Sequence, residues 1–220
     1  AAHLVQISAI GADAESDSRY AASKAKGEEA VLAAFPSAVI LRPSIIFGPE
    51  DQFFNRFAAM SRLGPILPVV GAATRFQPVY VDDVAQAAVM GVLGQAKPGI
   101  YELGGPEVAS FRQLMQRMLA VVRRRRLIVN TPFWIARIMG AVFDGLQAVS
   151  LGLFQNGLLT RDQVRNLARD NVVGEGRMGF DTLGITPVAM GAVLDDYLWP
   201  YRSGGQYAEI KESARNLKQD

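Results

Sequence analysis

The sequence predicts an α/β protein: part of a parallel sheet, then a mostly helical small lobe. Three observations carry this reading. Across residues 4–104, short apolar runs alternate with longer amphipathic stretches, as strands and helices do in a parallel α/β sheet. One run, Ala38-Val39-Ile40-Leu41, is apolar at every position, as a strand buried on both faces must be. From Ser110 onward the short runs give way to longer helical patterns. These shifts divide the chain into residues 1–109 (the sheet), 110–200 (the helical lobe) and 201–220 (a polar tail).

In order along the chain, Leu4-Val5-Gln6-Ile7 is the first strand and ends in Ser8-Ala9-Ile10-Gly11. Ser16-Asp17-Ser18 supplies side-chain acceptors for a helix N-terminus, so a helix is expected from Arg19 to Ala34, stopped by Pro36. Ala38–Leu41 is the buried strand, broken by Gly48-Pro49, and Asp51–Leu63 has the pattern of a surface helix. Gly64-Pro65 and Pro68 mark a loop into Val69-Val70-Gly71. Pro78-Val79-Tyr80-Val81 is a short strand running into Asp82-Asp83, whose carboxylates are placed to cap a helix over Val84–Leu93. Gly99–Leu103 is a further strand, and Gly104-Gly105-Pro106 a turn without the Lys-Ser/Thr element of a phosphate loop. Ser110 caps a helix over Phe111–Val122. Arg123–Arg126 follows as an unbroken basic run, then the apolar stretch Leu127–Leu159. Thr160-Arg161-Asp162-Gln163 reads as a capping box, with Val164 and Leu167 on one face of its helix. Thr186-Pro187 is expected to open a last helix toward Leu198.

Composition excludes several chemistries. With no cysteine, disulfides, thiolate metal sites and cysteine nucleophiles are ruled out. His3 is the only histidine, which rules out a Ser-His-Asp triad anywhere but at the N-terminus and any multi-histidine metal site. No metal site is expected; Asp82 and Asp83 are adjacent, so they point to different faces and lack further ligands nearby. The net charge of +2 is uneven, since residues 111–170 hold ten basic and three acidic side chains. Such a segment suits an anionic surface. Arg123–Arg126 are followed by Phe133, Trp134, Ile135, Ile138, Met139, Val142 and Phe143 at helical spacing. Two readings fit: a helix in a membrane interface with Trp134 at the headgroup level, or a packed helix beside a solvated arginine run. Nucleic acid is not expected, because the arginines are not interleaved with aromatics.

The strongest chemical signal is Tyr20 with Lys24. Four residues make one helical turn, so both side chains stand on one face, and an ammonium beside a phenol favours the phenolate. A tyrosine so placed can serve as an acid or base near neutral pH. The same spacing also suits an ordinary helix face.

Together with the segments Leu41–Asp51, Phe76–Ala85, Tyr101–Pro106 and Leu183–Pro187, this pair resembles the short-chain dehydrogenase/reductase superfamily. The likeness is to its extended and atypical members, of NAD-dependent epimerase/dehydratase type, and above all to the dehydrogenase-like accessory subunit of respiratory complex I. The resemblance implies a Rossmann-type fold binding NAD or NADP. Tyr20, Lys24 and Ser8 would be the catalytic set. Tyr20 and Lys24, with Pro43, Ser44 and Ile45 at a strand end, would meet the nicotinamide and its ribose. In such folds a glycine-rich turn after the first strand cradles the pyrophosphate. Nothing of that kind precedes Leu4, so the chain is expected to match the C-terminal two-thirds of the fold, its N-terminal nucleotide-binding half absent and its own dinucleotide affinity low. Extended members place the catalytic hydroxyl second in a Ser-Ser or Ser-Thr pair, where this chain has Ser8-Ala9.

Two functions follow from the resemblance. One is an accessory or assembly-type protein in which the nucleotide is structural, with residues 123–154 touching a membrane or respiratory-complex subunits. The other is a working oxidoreductase, epimerase or dehydratase on a nucleotide-sugar or other small substrate. The implied location is cytoplasmic or peripheral on the inner membrane, on the matrix side in a eukaryote.

Overall fold

A computed structural model of the chain describes residues 2–138, 141–142 and 161–203. Three parallel strands form the central sheet, in the order β1 (Val5–Ile7), β2 (Val39–Pro43), β7 (Gly99–Leu103). Val5 pairs with Val39 and Leu41 with Tyr101, so all three strands end on one edge. Three two-stranded ribbons extend the fold: β3 (Ile46–Phe47) beside β6 (Val79–Tyr80), β4 (Ile66–Val70) beside β9 (Leu127–Thr131), and β5 (Arg75–Phe76) antiparallel to β8 (Ala109–Ser110).

Helix α1 spans Arg19–Ala34, as its signals predict. The Ser18 hydroxyl accepts from the Ala21 N–H, and Ala21, Ala25 and Glu28 are its buried residues. Helix α3 (Val81–Val92) and residues Phe180, Leu183 and Ile185 cover one side of the sheet, around Val39, Leu41, Tyr101 and Leu103. A second core gathers Phe47, Phe54, Leu67, Phe76, Phe111, Met115 and Leu194 between helices α2 (Phe54–Met60), α4 (Phe111–Val121) and the segment 190–198. Ser110 and Gln113 form a reciprocal capping box at the start of α4.

Several expectations change. The helix expected over Asp51–Leu63 is shorter, because Asp51 stands before it and accepts from the Phe53 and Asn55 N–H groups. It is also no surface helix, since Phe54 and Ala58 are fully buried. Asp82 and Asp83 do not cap α3 through their side chains. Asp83 is buried and accepts from the Val188 N–H at 2.8 Å, tying in a segment more than a hundred residues later.

The stretch from Leu127 does not begin as a helix; its first five residues are β9, in register with β4 from Ile66↔Leu127 to Val70↔Thr131. β-Branched Ile128, Val129 and Thr131 suit that extended pairing. Helix is recovered at residues 133–138, with Ala136 buried and Trp134 exposed; Met139 and Phe143 lie outside the described residues, as do Thr160 and Gly145–Leu159. No helix starts at Thr186-Pro187. A 3-10 turn (Met190–Ala192) and a short helix (Leu194–Leu198) follow instead. The later part of the chain returns to the sheet: the Glu102 N–H donates to Met178 O, and Tyr101 bridges Met178. Segments from both sides of residue 109 therefore pack together in each of the two cores.

Candidate functional site

The carboxyl ends of β1 and β2 open onto a cavity of about 720 Å³. Parallel sheets bind ligands in such crevices, where backbone groups and loop side chains converge. Ile7, Ser8, Ala9 and Ile10 enter from β1, Pro43, Ser44 and Ile45 from β2, and Tyr20 and Lys24 from α1. The Ile10 N–H donates to Pro43 O at 3.1 Å, holding the two strand exits together.

Lys24 Nζ donates to Ile7 O at 3.4 Å and stands 5.7 Å from the centroid of the Tyr20 ring. The pair thus shares one helix face beside the end of β1. Its electrostatics differ from the sequence expectation. Partial burial pushes the Tyr20 phenol up, not down, because desolvation disfavours the phenolate. The side chain keeps 49% of its surface exposed, so a ligand can reach it.

Ser8 is buried, and its hydroxyl donates to Glu28 Oε1. Glu28 also accepts from Arg42 Nε (2.8 Å) and Nη2 (2.6 Å), a two-pronged pair between α1 and β2. Arg42 in turn lies 3.8 Å from Glu102 on β7. The Ser44 hydroxyl is engaged with Asn171, whose side-chain amide donates to Ile10 O at 3.4 Å. Pro43, Ser44 and Ile45 therefore offer the cavity mainly backbone and apolar surface.

Sequence reasoning missed Asp162. Its carboxylate accepts from the Arg19 N–H (2.8 Å) and Tyr20 N–H (3.0 Å), and from the Ser18 hydroxyl, at the positive end of α1. The sequence pattern assigns it to a capping box opened by Thr160, which lies outside the described residues; the structure shows it capping the helix that carries Tyr20. Replacing Asp162 by Ala should cost about 1 kcal/mol, the usual worth of a cap, measured by urea unfolding. An unchanged midpoint would show that Ser18 suffices. Glu28 was also missed, although its place two turns beyond Tyr20 and one beyond Lys24 put a carboxylate on the same helix stripe.

The Tyr20–Lys24 face and the strand exits beside it bring a cation and a phenol next to backbone groups at the carboxyl edge of the sheet. No group of acidic residues able to hold a metal occurs among the described residues.

These features define a Rossmann-type α/β protein with a tyrosine-lysine face at the carboxyl edge of its sheet. A family model described as the RmlD substrate binding domain matches residues 12–132, and the chain belongs to that family, within the extended short-chain dehydrogenases/reductases. It is 36% identical over 205 residues to the mitochondrial NADH dehydrogenase (ubiquinone) 1 alpha subcomplex subunit 9 of Arabidopsis thaliana, covering 91% of this chain and 51% of the relative. It is 28% identical over 218 residues to the mitochondrial NADH-ubiquinone oxidoreductase 40 kDa subunit of Neurospora crassa, covering 99% and 56%. The chain thus spans about half the length of these curated relatives. Among solved structures, a dTDP-glucose 4,6-dehydratase from Bacillus anthracis in complex with NAD superposes with a TM-score of 0.62 at 14% identity, over 96% of this chain and 63% of that one, which shows the shared fold.

Proposed function

We propose that the full-length protein holds a nicotinamide dinucleotide as a structural element of an accessory or assembly role in a respiratory complex. The observation that carries this is the Ser8 hydroxyl, committed to the Glu28–Arg42 pair, with Ala9 at the next position. A binding face remains in Tyr20 and Lys24, but the second hydroxyl of a proton-transfer set is spent on structure. The similarity to two complex I subunits supports the same role. When bound, the dinucleotide supplies hydride chemistry; here Lys24 would anchor its ribose and Pro43–Ile45 would seat its nicotinamide.

Calorimetric titration of the full-length protein with NADH and NADPH tests this. Lys24→Met should weaken binding about tenfold to a hundredfold, the worth of hydrogen bonds from a charged donor. Unchanged affinity would remove the dinucleotide from this face. A second reading, a working oxidoreductase, is favoured by the exposure of Tyr20 beside Lys24. Substrate-dependent oxidation of NAD(P)H that Tyr20→Phe abolishes while leaving nucleotide affinity intact would establish it over the first.

An anionic membrane surface is the proposed neighbour of the β4–β9 ribbon. Leu127 (66% exposed) and Ile66 (52%) pair at its first rung, and Leu63 (88%), Arg62 and Arg125 are exposed in the adjoining segments. Among the described residues no helix is long and apolar enough to cross a membrane. The arginine run contributes less than four lipid-facing charges would. Arg124 Nε donates to Tyr201 O and Arg126 Nε to Ser61 O, so both are tied to the protein backbone. At roughly 1 kcal/mol per lipid-facing arginine, the apolar contact carries the larger share. Co-sedimentation of the full-length protein with anionic vesicles should therefore fall more for Leu63→Ser/Leu127→Ser than for Arg125→Gln. No recovery with vesicles of any charge would leave this face to a protein partner.

A further inference from the structure

Beyond Tyr20, the cavity continues over a surface built from phenylalanine. Phe53 and Phe57 line it as partly exposed rings one turn apart at the start of α2, their centroids 5.6 Å from each other. Phe111 lies beneath both, 5.4 Å from Phe53 and 5.3 Å from Phe57, and Phe76 backs the group at 5.7 Å from Phe111. Ile45 adjoins them from the end of β2. Gln52 and Arg56 flank the two rings, and several of the other polar groups that line the cavity are engaged within the protein. Ser44 bonds Asn171, Asn171 bonds Ile10 O, and Asp170 accepts from both the backbone and the side chain of Arg75.

A sugar ring pressed onto these rings would leave any hydroxyl turned toward them unpaired, each with an uncompensated desolvation penalty. A hydrocarbon chain has no such requirement and gains from contact with aromatic edges and faces. The cavity volume also lies in the range of small-molecule sites.

We infer that the Phe53–Phe57–Phe111 compartment binds the hydrocarbon chain of a lipid-class ligand, its oxygenated end directed toward Tyr20 and Lys24. The inference rests on the proposed nucleotide site only for the far end of the cavity. It narrows the ligand from the nucleotide-sugars named by the resemblance to an apolar chain. Arg56 also lines the cavity, so an uncharged probe keeps a carboxylate–guanidinium contact out of the measurement.

The test is a fluorescence titration of the full-length protein with methyl cis-parinarate, a polyene acyl ester that brightens on leaving water, run beside calorimetric titrations with NADH and UDP-glucose. A saturable one-site rise is expected, not displaced by UDP-glucose. Phe57→Asn should weaken it at least about tenfold and Phe57→Leu by no more than about threefold, because leucine keeps the apolar surface. Thermal melts establish that each variant is folded, and Phe53→Asn replaces Phe57→Asn if the latter is not. No saturable signal, equal affinity in the asparagine variant, or displacement by UDP-glucose would overturn the inference. NADH binding without probe binding removes the lipid compartment alone. Probe binding without NADH binding removes the nucleotide reading alone.

Discussion

Glu28→Ala is expected to lower the stability of the protein by about 3–5 kcal/mol, the cost of removing one partner from a buried ion pair. Glu28 is 3% exposed and receives three hydrogen bonds, from the Ser8 hydroxyl and twice from Arg42. Alanine would leave the guanidinium and the hydroxyl facing a cavity between α1 and β2. Glu102, 3.8 Å from Arg42, softens the loss but is itself shared with Arg177 and the Gly174 N–H. Glu28→Gln should fall between wild type and alanine, since one amide oxygen can accept from Arg42 while the amide nitrogen opposes its other donor. The double change Glu28→Leu/Arg42→Met should recover most of the stability, because replacing both charges with apolar groups removes the orphaned cation along with the pair. Urea midpoints of the four proteins decide the matter. A single alanine variant within about 1 kcal/mol of wild type would mean that water enters and solvates Arg42.

The same pair shows what was legible in the sequence and what was not. Helix α1 and strand β7 lie where their local signals put them, since a Ser18 cap, the Pro36 stop and the Gly99 and Gly104 punctuation act within a few residues. Strand β9 could not be read this way. Its extended form depends on pairing with β4, some sixty residues earlier, and an apolar run as short as Leu127-Ile128-Val129 is compatible with either period. Tyr20 and Lys24 were visible because their relationship is one helical turn. Asp162, which caps that helix from far along the chain, and Asn171, which takes up the Ser44 hydroxyl, were invisible because only tertiary contact joins them to it. The Phe53–Phe111 contact was hidden for the same reason. Ser8 was visible as a residue but not in its role, which depends on Glu28.

Gly105→Ala is the second substitution with a large expected effect, about 3 kcal/mol of destabilisation, at the upper end for overpacking. The sequence marks Gly104-Gly105-Pro106 only as a turn, yet the structure shows why a side chain is excluded there. A Cβ on Gly105 would lie 2.0 Å from Pro78 O, a backbone atom that cannot rotate away. The neighbouring backbone is fixed from both directions: the Gly105 N–H donates to Gln77 O, and Gln77 Nε2 returns a bond to Gly105 O at 2.8 Å. Moving Pro78 would also disturb the Gln77 N–H bond to Asn171 O, and with it the Asn171 side chain that holds Ser44 at the cavity. Gly64→Ala is the matched control, since a Cβ there meets nothing within 4 Å and the backbone is not left-handed. It should be neutral to within about 0.5 kcal/mol. For a chain of this size the Gly105 variant should melt about 6–12 °C lower, measured by calorimetry. Equal melting of the two variants would show that the 77–78 backbone yields freely and that the close approach of these two segments carries no stability.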